Sequence, residues 1–327
     1  MFAVLALSAG TAISSLLLRA LIPKLRASFL DQPNSRSSHH VPTPRGGGIS
    51  FVLVSSVASL FALFSGQSDV AALAPLLSVS LAVVGLLDDR YNLPAFWRFC
   101  VQLLTASAFL YFSPLVPFIA FPGVFSSLFF SVAFGFLVIV ITAVVNFTNF
   151  MDGLDGLVAG CMALIIAAMA IVLDAPWPLW ALVGSLLGFL PWNWSPAKVF
   201  MGDAGSTFLG AVFACLVLQA TSWADAFGCL LVATPLLGDA FFCLLRRLLA
   251  GHRVFQAHRL HLFQRLHQAG WPHCRVSLTY VAATALLALA MVTGGWPLVF
   301  VFAVVELLLG VWLDQKFAVS FSVASKS

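Results

Sequence analysis

The chain has 327 residues, of which 61% are hydrophobic and only 9% are charged, and its formal net charge is +4. A soluble domain carries about 25% charged residues, so this composition excludes an ordinary soluble fold and predicts an all-α, polytopic integral membrane protein. The basic excess lies in a few loops, which argues against a nucleic-acid-binding surface, and the six single cysteines form no CxxC pair that would indicate a zinc site or a disulfide framework.

Eleven apolar segments are long enough to cross a bilayer, which takes about 17–25 mainly apolar residues per helix. They are residues 2–22, 47–65, 70–87, 97–113, 124–145, 157–173, 177–192, 205–221, 225–245, 277–293 and 296–313. Residues 113–123 contain three prolines and are predicted to form a loop or a re-entrant turn. Basic residues follow the first apolar segment rather than precede it, so we interpret that segment as a transmembrane helix and not as a cleaved signal peptide.

Alternate threading of these segments places the basic residues on one side of the membrane. If the first helix runs from outside to inside, the inner loops are residues 23–46, 88–96, 146–156, 193–204 and 246–276. All 16 lysines and arginines then lie in these loops, at their junctions with the spans, or in the C-terminal tail, as the positive-inside rule requires. We therefore expect a single membrane-embedded domain with an outer N-terminus, an inner C-terminus and a site built from the inner loops.

The first inner loop places cations ahead of a run of glycines. From Asp31 it has the sequence DQPNSRSSHHVPTPRGGG, and Arg36, His40 and Arg45 are candidates to bind phosphate. The loop does not match the nucleotide-triphosphate pattern GxxxxGK[ST], so the pattern alone does not identify the ligand.

Two adjacent carboxylates, Asp88 and Asp89, end the third apolar segment. Because like charges repel, both remain ionised only if cations or a metal ion compensate them. Arg90 and Arg98 are close enough in sequence to do so. The alternative is a solvated helix end that carries two acids.

The third inner loop, NFTNFMDGLDG at residues 146–156, contains two acids and no basic residue. Asp152 and Asp155 are three residues apart and would share a helical face with Asn149. A glycine follows each aspartate and permits close approach of the backbone to a ligand. We expect this loop to bind a cation or a polar ligand, and the alternative is a pair of Asp-Gly turns that cap the next helix.

Residues 193–205, which include the fourth inner loop, have the sequence NWSPAKVFMGDAG, and Asp203 lies there between two glycines. An oxygen ligand of this kind suits Mg²⁺, which usually takes one or two protein carboxylates and leaves positions for substrate phosphates. Phe200 could stack on a flat base and Lys198 could meet a phosphate. The alternative for Asp203 is an N-cap of the next helix.

The fifth inner loop contains HRLHLFQRL, residues 258–266. On a helix, His258, His261 and Arg265 would lie on one stripe, and histidine with arginine suits a diphosphate. The alternative is a basic amphipathic helix that lies on anionic lipid.

The order of these five motifs resembles that of the polyprenyl-phosphate N-acetylhexosamine-1-phosphate transferases. This family includes the peptidoglycan phospho-N-acetylmuramoyl-pentapeptide transferase and the bacterial enzymes that start O-antigen and teichoic-acid chains. The resemblance extends from Asp31 to about Leu266 and rests on the motifs DxPN…PRGGG, DD, NFxDGLDG, PAKVFMGDAGS and HRxHxxQRL. It implies transfer of a sugar-1-phosphate from a UDP-N-acetylhexosamine to undecaprenyl phosphate at the cytoplasmic face of the bacterial inner membrane, with release of UMP and with Mg²⁺ or Mn²⁺ as cofactor.

The resemblance also implies roles for individual residues. Asp203 is similar to the main metal ligand of the family, with Asn149 beside it, and the Asp88-Asp89 pair corresponds to residues that act on the lipid phosphate. The implied substrate ligands are Asp152 and Asp155 for the nucleotide, Asn193 and Phe200 for uracil, and His258, Arg259 and His261 for the diphosphate.

Two departures from the family pattern bear on its branches. Between Lys24 and its histidines, the first loop contains no lysine. The histidines of the last loop are separated rather than consecutive. The separated histidines favour the branch that initiates O-antigen or another surface glycan over the peptidoglycan enzyme. Two other classes of protein stay open: a cation-coupled secondary transporter, in which Glu306 would be the intramembrane acid, and a lipid-binding scaffold without activity.

Overall fold

The chain folds into a bundle of helices. The computed structural model describes residues 1–33, 41–119, 126–253 and 258–325. The α-helices are α1 Phe2–Ser28, α2 Ile49–Phe64, α3 Val70–Leu77, α4 Val79–Tyr91, α5 Ala95–Tyr111, α6 Ser126–Phe150, α7 Leu157–Val172, α8 Trp177–Asn193, α9 Asp203–Val217, α10 Trp223–Leu231, α11 Thr234–Leu249, α12 Leu262–Gln268, α13 His273–Lys316 and α14 Phe321–Ala324. A 3-10 helix, Val116–Ile119, lies in the segment predicted to be a loop or re-entrant turn. The all-helical class is confirmed apart from a two-residue ladder in the first inner loop.

Each apolar segment predicted from the sequence coincides with one helix or with two consecutive helices, and the helices differ in length. Within the described residues, four helical segments are long and apolar enough to cross a membrane: Phe2–Ser28, Val70–Tyr91, Ser127–Phe150 and His273–Lys316. The second of these consists of α3 and α4 together. The pair α10 and α11, bent by 83°, makes a fifth span if it is counted as one. Two predicted spans fall within α13, which is interrupted at Gly295 by a non-helical φ of 63°. The count of eleven spans stays a prediction.

The outer surface of the bundle is apolar. On α6, Val132, Phe136 and Ile139 are each more than 60% exposed, whereas α7 and α9 are buried along most of their length. A continuous apolar surface would drive association in water, but in a bilayer it faces hydrocarbon. The structure therefore supports a membrane-embedded bundle with α7 and α9 at its centre.

Small residues allow α1 and α8 to pack closely. A Cβ atom at Gly184 or Gly188 would lie 2.0 or 2.3 Å from the carbonyl oxygens of Leu7 and Thr11, respectively. Small residues four positions apart are typical of close helix pairs in membranes. This packing fixes α8, which leads directly into the fourth inner loop.

Backbone hydrogen bonds join the first and fourth inner loops. The strands β1 (Leu30–Asp31) and β2 (Thr43–Pro44) pair antiparallel. The Phe200 N–H donates to the Pro44 carbonyl at 2.8 Å, and the Gly47 N–H donates to the Phe200 carbonyl at 2.9 Å. The glycine run therefore holds the segment that leads into α9, and two separate sequence motifs form one structure.

Candidate active site

Asp88, near the end of α4, is held by two donors. Arg98 Nη1 lies 2.6 Å from Asp88 Oδ2, and the Leu93 N–H donates to Asp88 Oδ1 at 2.7 Å. A short charge-assisted bond of this kind fixes the side chain, so the prediction that Arg98 compensates the acid pair is confirmed. The same prediction for Arg90 is wrong, because its guanidinium lies over the Tyr91 ring, 5.2 Å from the ring centroid.

Asp89 faces the start of α9. Its carboxylate lies 3.6 Å from Arg45 and accepts a long hydrogen bond of 3.4 Å from the Ala204 N–H. Arg45 also pairs with Asp31 at 2.7 Å, so the first inner loop contributes a cation to the acid pair. The other first-loop candidates, Arg36 and His40, lie outside the described residues.

Asp203 is the first residue of α9 and lies beside Asn149. It follows Gly202, whose φ of +77° is in the left-handed region that favours glycine. Asn149 and Asp203 line the same cavity, and Asn149 donates through Nδ2 to Ser206 Oγ at 2.9 Å. Arg98 lies 4.0 Å from the Asp203 carboxylate. The structure therefore brings the two candidate metal ligands together, next to a cation.

The expectation that Asn149, Asp152 and Asp155 share a helical face is wrong. The helix α6 ends one residue after Asn149, and residues 151–156 form a turn, which separates the two acids. Burial, followed by the charges of neighbouring aspartates with Asp203 foremost, raises the pKa of Asp152 to about 8. Asp152 thus belongs to the acidic cluster around Asp203.

Asp155 is held among backbone and histidine donors on the other side of the turn. Its carboxylate lies 3.2 Å from His273 Nδ1 and accepts a 3.2 Å hydrogen bond from the Ala197 N–H. Its own carbonyl accepts from Ser277 Oγ at 2.7 Å. In this structure Asp155 connects α13 to the third and fourth inner loops.

The side chain of Asn193 is buried and bonded to backbone. It accepts from the Gly156 N–H at 3.1 Å and donates to the Val199 carbonyl at 3.0 Å, so it joins two loops. Phe200 is half-buried in the same loop, and Lys198 is exposed, with its ammonium over an aromatic ring of α8. The roles of these three residues in base and phosphate binding stay predictions.

The fifth inner loop is not one continuous helix, so the expected stripe through His258, His261 and Arg265 is wrong. The helix α12 begins only at Leu262. The rings of His258 and His261 stack with their centroids 5.0 Å apart. Arg265 is buried and donates to the Val319 carbonyl at 2.8 Å, so it holds the loop against the C-terminal segment.

The two stacked histidines differ in charge. Burial and the neighbouring His261 lower the pKa of His258 to about 3, and its Nδ1 accepts from the Leu260 N–H at 3.3 Å. Burial also lowers the pKa of His261, but the adjacent Asp239 carboxylate outweighs it and raises the pKa to about 9. Arg259 lies between the two histidines in sequence, and its backbone carbonyl accepts a hydrogen bond from a side-chain amide of α12. A neutral and a cationic ring therefore lie side by side.

A sulfur atom completes this group, since potential ligand atoms of Cys243, His258 and His261 lie within 4.8 Å of one another. Because Nδ1 of the neutral His258 already accepts a hydrogen bond, the ring proton lies on Nε2, which is then a donor rather than a metal ligand. The arrangement suits binding of an anion better than binding of a soft metal ion.

Residues of the second, third, fourth and fifth inner loops line one cavity of about 330 Å³. Its polar lining includes Arg98, Asn149, Asp203, His258 and His261. Its apolar lining comes from α4, α5, α6 and α11. The cavity thus combines carboxylate, cation and histidine groups with walls that can contact a hydrocarbon chain.

Two lining residues, Gln102 and Asn146, are not among the candidates drawn from the sequence. Their amides are bonded reciprocally, with Asn146 Nδ2 donating to Gln102 Oε1 at 2.8 Å and the return bond at 3.3 Å. An amide within an apolar run is the sequence signal that could have identified them, because an intramembrane polar group needs a partner.

A divalent cation fits the donor set around Asp203. Four carboxylates interact electrostatically there, those of Asp88, Asp89, Asp152 and Asp203. Two guanidinium groups face them, Arg45 and Arg98. Within this set of described residues the carboxylates outnumber the guanidinium groups four to two, and a bound cation would offset the repulsion between the carboxylates that raises the pKa of Asp152. Carboxylate and amide oxygens are the ligands that Mg²⁺ prefers, and Asp203 and Asn149 offer one of each.

Comparison with known proteins identifies a family and several relatives that this chain resembles. Residues 71–221 match the glycosyl transferase family 4. The decaprenyl-phosphate N-acetylglucosaminephosphotransferase of Mycobacterium leprae is 31% identical over 292 residues, which cover 77% of this chain and 73% of the relative. The probable undecaprenyl-phosphate N-acetylglucosaminyl 1-phosphate transferase of Bacillus subtilis is 30% identical over 201 residues (59% and 56%). A phospho-N-acetylmuramoyl-pentapeptide-transferase of Staphylococcus haemolyticus is 29% identical over 235 residues (63% and 73%).

Proposed function

Because the chain belongs to glycosyl transferase family 4, we propose that it transfers a sugar-1-phosphate from a UDP-N-acetylhexosamine to undecaprenyl phosphate. The sugar is an N-acetylhexosamine or a 6-deoxy relative such as FucNAc or QuiNAc. UMP is released, and the lipid-linked sugar diphosphate initiates O-antigen or another cell-envelope glycan. The reaction takes place at the cytoplasmic face of the bacterial inner membrane.

One observation carries this proposal: an acid, cations and apolar walls line a single cavity. Asp203 and Asn149 lie with Arg98 in that cavity, and the two stacked histidines line it as well. A lipid phosphate needs cations for its headgroup and an apolar wall for its chain. A nucleotide diphosphate needs the same cations and a divalent metal ion.

The geometry around Asp88 favours direct attack. A phosphate monoester has its second pKa near ~6, so the lipid phosphate is largely a dianion at neutral pH and hardly needs a general base. One of its oxygens attacks the β-phosphorus of the UDP-sugar, the bond from that phosphorus to the bridging oxygen breaks, and UMP departs. Both oxygens of Asp88 already have donors, which supports a positioning role rather than proton removal.

The remaining groups reduce the repulsion between two anionic substrates. Arg98 and the cationic His261 supply positive charge at the cavity, and the neutral His258 supplies a ring N–H donor. When bound at Asp203 and Asn149, Mg²⁺ supplies further positive charge for the diphosphate and the departing phosphate. Preorganised charge of this kind is a major source of rate enhancement in such reactions.

The test is UMP release by purified protein given UDP-GlcNAc, undecaprenyl phosphate and Mg²⁺, with other UDP-N-acetylhexosamines as competitors. We expect release that needs the lipid acceptor and is lost in Asp203→Ala. Release that survives Asp203→Ala would overturn the metal assignment. If no UDP-N-acetylhexosamine gives UMP, a transporter or an inactive scaffold becomes the better account.

A labelling experiment separates direct attack from a covalent aspartyl-phosphate intermediate. Enzyme incubated with labelled UDP-sugar, without the lipid acceptor, is denatured and examined for bound label. We expect no covalent label. A sugar-phosphate adduct on Asp88 or Asp89 would exclude direct attack.

A further inference from the structure

Asp239 is a buried acid on α11 that holds the start of α12. Its carboxylate accepts from the Leu262 N–H at 2.7 Å and from the Phe263 N–H at 3.1 Å. The Tyr280 hydroxyl of α13 donates to it at 2.7 Å. Three donors from two elements therefore fix this carboxylate, and its side chain is 5% exposed.

The fourth neighbour of this carboxylate is a histidine of the cavity. His261 Nδ1 lies 3.7 Å from Asp239 Oδ1, and the imidazole is also only 5% exposed. The backbone N–H of His261 donates to the side-chain oxygen of Gln264 at 3.3 Å, which fixes the backbone that carries the ring. The geometry therefore presents one face of a buried carboxylate to a ring that lines the proposed diphosphate site.

We propose that Asp239 is a positioning residue that orients His261 and keeps it cationic at the cavity. The proposal rests on the proposed function, in which His261 meets the substrate diphosphate. A buried imidazolium is costly unless an anion compensates it, and Asp239 is that anion. Charge, and not hydrogen-bonding capacity alone, is the property required at this position.

Other titratable groups surround His261 and act in both directions. His258 stacks on it from the same loop, and Arg247 of α11 lowers the pKa of His258. Cys243 lies beside both rings and, like Asp239, raises the pKa of His261. Tyr280 shares the Asp239 carboxylate. The pKa of His261 is raised to about 9 against the effect of burial, and Asp239 is the first of the groups that raise it.

The test compares Asp239→Asn with wild type between pH 6 and pH 8.5, with kcat and KM for the UDP-sugar measured separately. If the variant returns the His261 pKa to about 6.5, its ordinary value, about 3% of its His261 rings are charged at pH 8. In the wild type, with a pKa of about 9, about 90% of the rings are charged at that pH. We expect a loss of about 30-fold at pH 8 that falls below about twofold at pH 6. The same fold loss at both pH values would indicate a merely structural role and overturn the proposal.

Matched variants separate charge from packing. Tyr280→Phe removes a hydrogen bond to the same carboxylate but leaves its charge, so its pH profile should follow that of wild type. In a His261→Gln background, Asp239→Asn should add no further pH-dependent loss. An equal pH-dependent loss in that background would show that Asp239 does not act through His261.

A second readout does not need catalysis. NMR titration of ¹³C-labelled histidine, with His261 assigned from the His261→Gln variant, should show its pKa lowered from about 9 to about 6.5 in Asp239→Asn. An unchanged His261 pKa would overturn this inference even if the transferase assay succeeds. Failure of wild type to release UMP would overturn the proposed function and leave the titration to decide the Asp239–His261 interaction.

Discussion

The guanidinium of Arg98 lies 2.6 Å from the carboxylate of Asp88. The same Nη1 atom lies 4.0 Å from the carboxylate of Asp203. Arg98 is on α5, whereas Asp88 lies near the end of α4 and Asp203 begins α9. One cation therefore connects three helices at the edge of the cavity, and it is 41% exposed, so a substrate phosphate can reach it.

Replacing Arg98 by alanine should lower kcat/KM by about 10²-fold or more, because one preorganised positive group at a phosphoryl-transfer site has an effect of that order. Arg98→Lys should recover part of the loss, since lysine keeps the charge but not the planar fork. The measurement is UMP release at varied undecaprenyl phosphate.

Arg90→Ala is the matched control for Arg98→Ala. Arg90 is closer to the acid pair in sequence than Arg98 is, but its guanidinium lies over the rings of Phe29 and Tyr91. Its replacement should leave kcat/KM within about threefold of wild type, as expected for a surface substitution. Equal losses for the two variants would contradict the assignment of Arg98 to the site.

Gly85 sets the distance between α4 and the start of α9. A Cβ atom at this position would lie 2.6 Å from backbone atoms of Asp203 and Ala204. Gly85→Ala should therefore displace Asp203, destabilise the protein by about 1–3 kcal/mol, as overpacking typically does, and reduce UMP release. Thermal unfolding in detergent and the UMP assay measure the two effects.

Gly135→Ala provides the control for Gly85→Ala. Among the described residues, no heavy atom outside the local helix backbone lies within 4 Å of a Cβ atom built at Gly135. Its unfolding temperature and activity should match or slightly exceed those of wild type. If Gly85→Ala behaves in the same way, the close contact between α4 and α9 is not required.

Asp152 should limit stability when no cation is bound. Its pKa is raised to about 8 by burial and by neighbouring acids, so the folded state holds its proton more tightly than the unfolded state. The resulting cost is small at pH values near the ordinary carboxyl pKa of about 3.9 and grows as the pH rises towards 8. Asp152→Asn should therefore raise the unfolding temperature in EDTA, by more at pH 8 than at pH 5.

Added Mg²⁺ should remove most of the advantage of Asp152→Asn, because the cation compensates the same negative charge. The variant is also expected to lose UMP release, as groups that destabilise a site often serve its function. Stabilisation by asparagine that is equal at pH 5 and pH 8 would contradict the charge explanation.

The helical class of the fold could be predicted from the sequence. Long apolar runs bounded by basic loops leave few other structures possible in a bilayer. The resemblance to the transferase family implied that Asn149 and Asp203 belong to one site. The apolar runs and basic loops, in contrast, are local signals carried by neighbouring residues.

The pairing of cations with acids could not be predicted in full, because it is set by contacts between distant segments. Asp89 pairs with Arg45 of the first loop rather than with its neighbour Arg90. The start of α12 is likewise fixed by Asp239 on another helix. The helical stripe expected through His258 and Arg265 failed for that reason.

The most direct test of the central claim follows the phosphorus atom. UDP-GlcNAc, or another UDP-N-acetylhexosamine that proves active, is labelled with ³²P at its β-phosphate and given to the purified protein with undecaprenyl phosphate and Mg²⁺. We predict that the label passes to the lipid product, with one unlabelled UMP released for each lipid formed, and that both are lost in Asp203→Ala. Label that remains in released UDP would show transfer of the sugar without its phosphate and would contradict the account.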